Sequence, residues 1–103
     1  MTDNILNIGK VILDLDNGQL KGPNGQCHLN RMEIKLLSAF MRHPGKVLTR
    51  AFLMKAVWET DYLGDTRTLD VHISWLRKKL KKCASQQQYL KTVRGVGYWL
   101  GDA

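Results

Sequence analysis

Cysteine is scarce in this sequence: Cys27 and Cys83 are the only two in 103 residues. They lie far apart in the chain and match no metal-ligand spacing, and two are too few for a disulfide framework. Both are expected to be reduced thiols, as in a cytoplasmic protein. No apolar run approaches the ~20 residues of a membrane span, so no membrane partner is expected. Met1 to Asn7 has neither a basic nor an apolar stretch, so no secretory signal is expected. Signatures of catalysis are missing as well: there is no glycine-rich phosphate loop, no G-x-S-x-G, no H-E-x-x-H and no C-x-x-C. His28, His43 and His72 are scattered, and His72 reads as a structural histidine at the edge of a core stripe. Asp14 and Asp16 face the same way on a strand and read as a solvated edge rather than a carboxylate pair. The chain is therefore not expected to be an enzyme, and no cofactor or metal is implied.

Acidic residues are nearly absent from one long segment. Between residues 67 and 94, Arg67, Arg77, Lys78, Lys79, Lys81, Lys82, Lys91 and Arg94 face Asp70 alone. Residues 1–30 are slightly acidic, with Lys10 and Lys21 against Asp3, Asp14 and Asp16. The net charge of +7 is thus concentrated in the C-terminal third. Such a cluster is the electrostatic footprint of a polyanion, with a membrane surface or an acidic protein as rivals to nucleic acid. The length suits one domain over residues 1–103, able to bury roughly 65% of its unfolded surface without staples.

The hydrophobic period changes along the chain. Ile5 to Leu29 reads as short strands, with Asn17-Gly18 as a hairpin signal and Gly22-Pro23-Asn24-Gly25 as a second turn. Asn30 and Glu33 form a near capping box for a helix whose stripe is Ile34, Leu37 and Met41, flanked by Leu36 and Phe40. His43-Pro44-Gly45 stops it. Val47-Leu48 leads into a second helix capped by Thr49, with Phe52, Leu53, Ala56 and Val57 as its apolar face and Trp58 as its close. The acidic loop Glu59 to Thr66 follows. Asp65 or Thr66 then caps a third helix, which ends near Cys83. Tyr89 to Val93 and Tyr98 to Leu100 flank Arg94-Gly95-Val96-Gly97, a hairpin whose tip presents an arginine.

The third helix carries the chemistry. Leu69, Ile73, Leu76 and Leu80 make an ordinary core stripe. The opposite face holds Arg67, Val71, Ser74, Trp75, Lys78 and Lys82. A helix with cations and short side chains outward can enter a DNA major groove. There, Arg suits guanine, Ser several base edges and Val the thymine methyl, while the lysines suit phosphates. Arg94 at the hairpin tip can reach a minor groove or its phosphates. RNA is a weaker reading, because the chain lacks an aromatic stacking platform.

The stretch T-R-T-L-D-V-H-I-S-W-L-R-K-K-L followed by T-V-R-G-V-G-Y resembles the effector domain of OmpR/PhoB-type response regulators. So do M-E-I-K-L-L and H-P-G-K-V-L-T-R. The likeness covers nearly the whole chain and implies an α+β winged helix: an N-terminal four-stranded antiparallel sheet, three helices and a C-terminal β-hairpin wing. It implies a transcription factor of the bacterial cytoplasm or plastid stroma, switched by phosphorylation of a receiver domain. That receiver would precede Met1, and the chain would be an excised effector domain rather than a standalone protein. Two copies would bind head-to-tail on a direct-repeat operator in double-stranded DNA. Residue by residue, Arg67, Val71 and Arg77 resemble recognition-helix positions that touch bases and phosphates, and Thr68 and His72 positions beside the backbone. Arg50 and Trp58 fall where the family makes phosphate contacts, and Thr92, Arg94 and Tyr98 match the wing. The loop with Glu59, Asp61, Tyr62 and Asp65 matches the one that contacts RNA polymerase. Ser74 and Trp75 stand where many members have basic residues, and Trp99 where a basic residue often follows the wing tyrosine.

The expectation is thus sequence-specific DNA binding in transcriptional control, with a recognition helix at about residues 67–82 and a wing at about 90–100. The alternative is a winged helix used as a protein-interaction module, its basic face meeting an acidic partner. Trp75 is expected to fold sideways over the wing base, against Val93 or Trp99. The competing reading keeps its indole at the DNA, donating N–H to a phosphate.

Overall fold

The computed structural model describes residues 4–61, 64–84 and 90–101. Four strands open the chain: β1 (Ile5–Ile8), β2 (Val11–Asp14), β3 (Gln19–Gly22) and β4 (Gly25–His28). They form an antiparallel meander in the order β1-β2-β3-β4. The register places Leu6 opposite Leu13, Leu13 opposite Leu20, and Leu20 opposite Cys27. One apolar row therefore crosses the whole sheet and faces the core, while Ile12, one residue out of phase, is exposed. Asn17-Gly18 does close a hairpin, within a loop of residues 15–18.

Helix α1 (Arg31–Met41) starts with the expected capping box: the Glu33 amide donates to Asn30 Oδ1 and the Asn30 amide to Glu33 Oε1, both at 2.9 Å. Glu33 is only 1% exposed, and Lys79 Nζ meets its carboxylate at 2.7 Å. The buried face is Leu36, Leu37, Phe40 and Met41, so Leu36 and Phe40 sit at its centre and Ile34 at its margin.

Two expectations change in the next segment. Val47 and Leu48 do lead into that helix, but as a strand not expected there: β5 (Val47–Thr49) pairs with a strand of the wing some fifty residues later. Thr49 still caps α2 (Arg50–Trp58), its Oγ1 accepting the Phe52 amide at 3.1 Å. The buried face of α2 is Leu53, Met54 and Val57, whereas Phe52 and Ala56 are exposed. A nine-residue helix with apolar residues on nearly every side has no unique face by periodicity. Packing against α1 and α3 chooses one.

Helix α3 (Arg67–Cys83) buries Leu69, Ile73, Leu76 and Leu80 as expected, with Cys83 added. The hairpin of β6 (Leu90–Val93) and β7 (Gly97–Leu100) follows, and the second sheet has the order β5-β7-β6. Two glycines mark close backbone approaches. A Cβ on Gly97 would lie 2.0 Å from the Leu48 carbonyl oxygen, where β7 crosses β5. A Cβ on Gly22 would lie 2.4 Å from the Cys83 carbonyl oxygen, which accepts the Asn24 amide at 2.8 Å. The β3–β4 turn thus caps the C-terminus of α3 and fixes that helix against the first sheet. Cys27 and Cys83, distant in sequence, are neighbours here, and both are free thiols. Burial pushes the Cys83 thiol up to about 12, helped by a hydrogen bond with Cys27.

Candidate nucleic-acid interface

Helix α3 begins without a side-chain bond from Thr66, its capping residue. Asp65 supplies one instead: its Oδ1 accepts the Arg67 amide at 3.0 Å. The same carboxylate grips the Arg67 guanidinium, Nη2 to Oδ2 at 3.0 Å. These hydrogen bonds hold the Asp65 carboxyl at about 2, below its ordinary 3.8. Arg67 is thereby oriented at the start of α3 while its guanidinium stays exposed.

Along the outward face, Thr68, Val71, Ser74, Trp75, Lys78 and Lys82 are all exposed. Val71 and Trp75 leave 42% and 46% of their surface open. Trp75 does not cover the wing base. Its indole leans on the His72 ring, centroids 5.0 Å apart, and His72 in turn stands edge-on to Trp58 at 5.2 Å. The reason is local: positions 72 and 75 are three apart and share a helix side, whereas the wing is already tied to α3 at another place. Half-buried His72 also places Nδ1 2.8 Å from the Thr68 carbonyl oxygen, which can only accept, so Nδ1 carries the proton.

That other tie is Arg77. Its Nε donates to the Leu90 carbonyl at 3.1 Å and its Nη2 to Thr92 Oγ1 at 3.0 Å. The wing therefore rides on the third turn of α3. A second clamp sits at the start of the helix. Tyr98 is 6% exposed; its hydroxyl donates to Asp70 Oδ1 at 2.7 Å and accepts from Arg50 Nη1 at 3.2 Å. Arg50 Nη2 lies 2.8 Å from Asp70 Oδ1 and also reaches both oxygens of Thr66. Burial, then the bond to Asp70, raises the Tyr98 phenol above its ordinary 10.

These contacts give internal partners to several residues expected at DNA. Tyr98, Arg50 and Arg77 direct polar groups to partners within the protein, and Tyr98 is 6% exposed. Thr92 is exposed yet bonded to Arg77. Trp58 is half-buried behind His72 rather than at the surface. Asp70, absent from the expected site, is the one acid of the basic segment, and its isolation among cations is the sequence signal that it neutralises something. In the acidic loop, Glu59 has a left-handed backbone (φ 56°) where it ends α2, and Asp61 lies 3.4 Å from Lys55. Tyr62 lies outside the described residues. Asp65 belongs to Arg67.

Lys78, Lys81 and Lys82 on α3, Arg94 at the exposed wing tip, and Lys91, whose Nζ lies over the Trp99 ring, have no acidic partner among the described residues. Among those residues no cluster of His, Cys, Asp or Glu suits a metal, and no helix is long and apolar enough to cross a membrane.

A basic helix face held beside a hairpin, with a four-stranded sheet behind, defines a winged-helix domain of the DNA-binding kind. The chain belongs to the family described as "Transcriptional regulatory protein, C terminal", which it matches over residues 24–100. It is 49% identical over 73 residues to the alkaline phosphatase synthesis transcriptional regulatory protein SphR of Synechococcus elongatus, covering 71% of this chain and 28% of SphR. It is 43% identical over 95 residues to the alkaline phosphatase synthesis transcriptional regulatory protein PhoP of Bacillus subtilis, covering 92% of this chain and 40% of PhoP. The chain thus spans well under half the length of these curated relatives. Among solved structures, the Klebsiella pneumoniae RstA DNA-binding domain in complex with the RstA box superimposes with a TM-score of 0.80 at 31% identity, covering 94% of this chain and 96% of that one.

Proposed function

We propose that this chain is the sequence-specific, double-stranded DNA-binding effector domain of a two-component response regulator, acting by binding rather than catalysis. Residues 67–82 enter the major groove and residues 90–100 lie at the minor groove or backbone. The observation that carries this reading is the outward face of α3, where Lys78 and Lys82 have no acidic partner among the described residues, beside exposed Val71, Ser74 and Trp75. Arg67, Thr68, Val71, Ser74, Trp75, Lys78 and Arg94 make the contacts. Arg50, Trp58, His72, Arg77, Thr92 and Tyr98 hold them in place. That the related RstA DNA-binding domain is solved in complex with the RstA box supports the DNA-binding reading.

A receiver domain elsewhere in the full-length protein controls a second copy bound head-to-tail on a direct repeat, in the cytoplasm where the DNA lies. Exposed Glu59 and Asp61 offer RNA polymerase an acidic contact. Replacing both with Ala lowers transcription in a reconstituted assay at unchanged operator affinity, and a parallel loss of affinity refutes that contact.

The binding test is a salt titration. Neutralising about five phosphates gives a slope of log affinity against log salt near −4 to −5. A slope near zero, or tighter binding to an acidic polypeptide than to duplex DNA, refutes the DNA reading.

A further inference from the structure

The basic face of α3 carries an apolar feature that phosphate binding does not use. Val71 and Trp75 are one turn apart, so their side chains are neighbours on the helix surface. Both are nearly half exposed, between exposed Arg67 and exposed Lys78. The acid nearest to them, Asp70, is engaged by Arg50 and Tyr98. What remains is an apolar shelf rimmed by cations.

The shelf is also braced. Trp75 leans on His72, His72 stands edge-on to Trp58, and His72 Nδ1 holds the Thr68 carbonyl of its own helix. An indole already supported on one side loses less freedom when a ligand covers its other side. An indole has a single donor and no acceptor, so it cannot make the paired hydrogen bonds that identify guanine or adenine. The apolar group that a major groove offers is the C5-methyl of thymine.

We infer that Trp75, together with Val71, is a specificity-determining residue that reads the C5-methyl groups of thymines, and that His72 is the positioning residue that braces its indole. This rests on the DNA-binding reading and adds the class of base edge the site selects: 5-methylpyrimidines under the middle of α3, not only guanines under its arginine.

The experiment starts from a duplex selected by the wild-type chain out of a random library. Each thymine is replaced in turn by uracil, which removes one methyl and leaves the protein untouched. Loss of a buried methyl contact is expected to weaken binding about three- to fivefold at one or two adjacent positions. Trp75→Ala should abolish that uracil effect at one of them. His72→Ala should shrink it, and His72→Phe, which keeps a ring behind the indole, should restore most of it. Tight binding with no uracil effect anywhere overturns this inference and leaves the DNA reading standing. An undiminished effect in Trp75→Ala removes Trp75 as the reader. Trp75→Ala weakening every duplex equally points to a phosphate contact instead. Failure to bind any duplex overturns both.

Discussion

Tyr98→Phe separates a wing residue that contacts DNA from one that assembles the wing. The substitution removes a single oxygen from a side chain 6% exposed and leaves the ring in place. That oxygen donates to Asp70 at 2.7 Å and accepts from Arg50 at 3.2 Å. A hydrogen bond to a charged group contributes about 1.5–3 kcal/mol net. The Arg50–Asp70 contact at 2.8 Å survives, and both partners are partly open to water, so the lower end applies. The expected loss is about 1–2 kcal/mol, or roughly 4–12 °C in melting temperature for a domain of this size. DNA affinity at a temperature where both proteins are folded should change less than about threefold. The pH dependence carries a sign. The folded-state phenol titrates above its unfolded value of 10, so its contribution is complete below that pH and is lost as pH rises further. Wild type should therefore lose stability above pH 10 faster than Tyr98→Phe does. Thermal melts followed by circular dichroism across pH 7–11, with operator titrations alongside, provide the check. An unchanged melting temperature together with a tenfold loss of affinity would refute the clamp and return Tyr98 to the DNA surface.

The Asp65 carboxyl should titrate in an NMR pH series with a midpoint at about 2, and Arg67→Ala should return it toward 3.8. Because this pKa is depressed by folding, the contribution of Asp65 is present above pH 4 and disappears as pH falls toward 2. An unaltered midpoint in Arg67→Ala would show that the Arg67 side chain is not what holds Asp65. Lys79→Met strips the buried Glu33 carboxylate of its cation, leaving only the Asn30 amide. Breaking a buried pair costs ~3–5 kcal/mol; Lys79 is one-third exposed, so about 2–3 kcal/mol is expected in urea unfolding at constant m-value. A loss below about 0.5 kcal/mol would show that water already screens the pair.

Much of this protein is written in short-range signals. The Asn30–Glu33 capping box, the Thr49 cap, the α3 core stripe and the hairpin around Gly95 depend on residues within about a dozen positions of one another, where periodicity and turn chemistry act directly. The outward face follows from the stripe, because burying Leu69, Ile73, Leu76 and Leu80 turns Val71, Trp75 and Lys78 outward. Tertiary structure alone decided the rest. Val47–Thr49 became a strand because β7 lies beside it to pair its backbone. Helix α2 exposed Phe52 because the volume between α1 and α3 accepts Leu53, Met54 and Val57. Arg50, Asp70 and Tyr98 met across 48 residues of chain because a burying phenol needs hydrogen-bond partners, and only the folded arrangement of α2, α3 and β7 supplies them. The same long-range proximity gave Arg50 and Arg77 partners inside the fold, while Lys78 and Arg94 have no acidic partner among the described residues, a choice made by three-dimensional position and not by residue type.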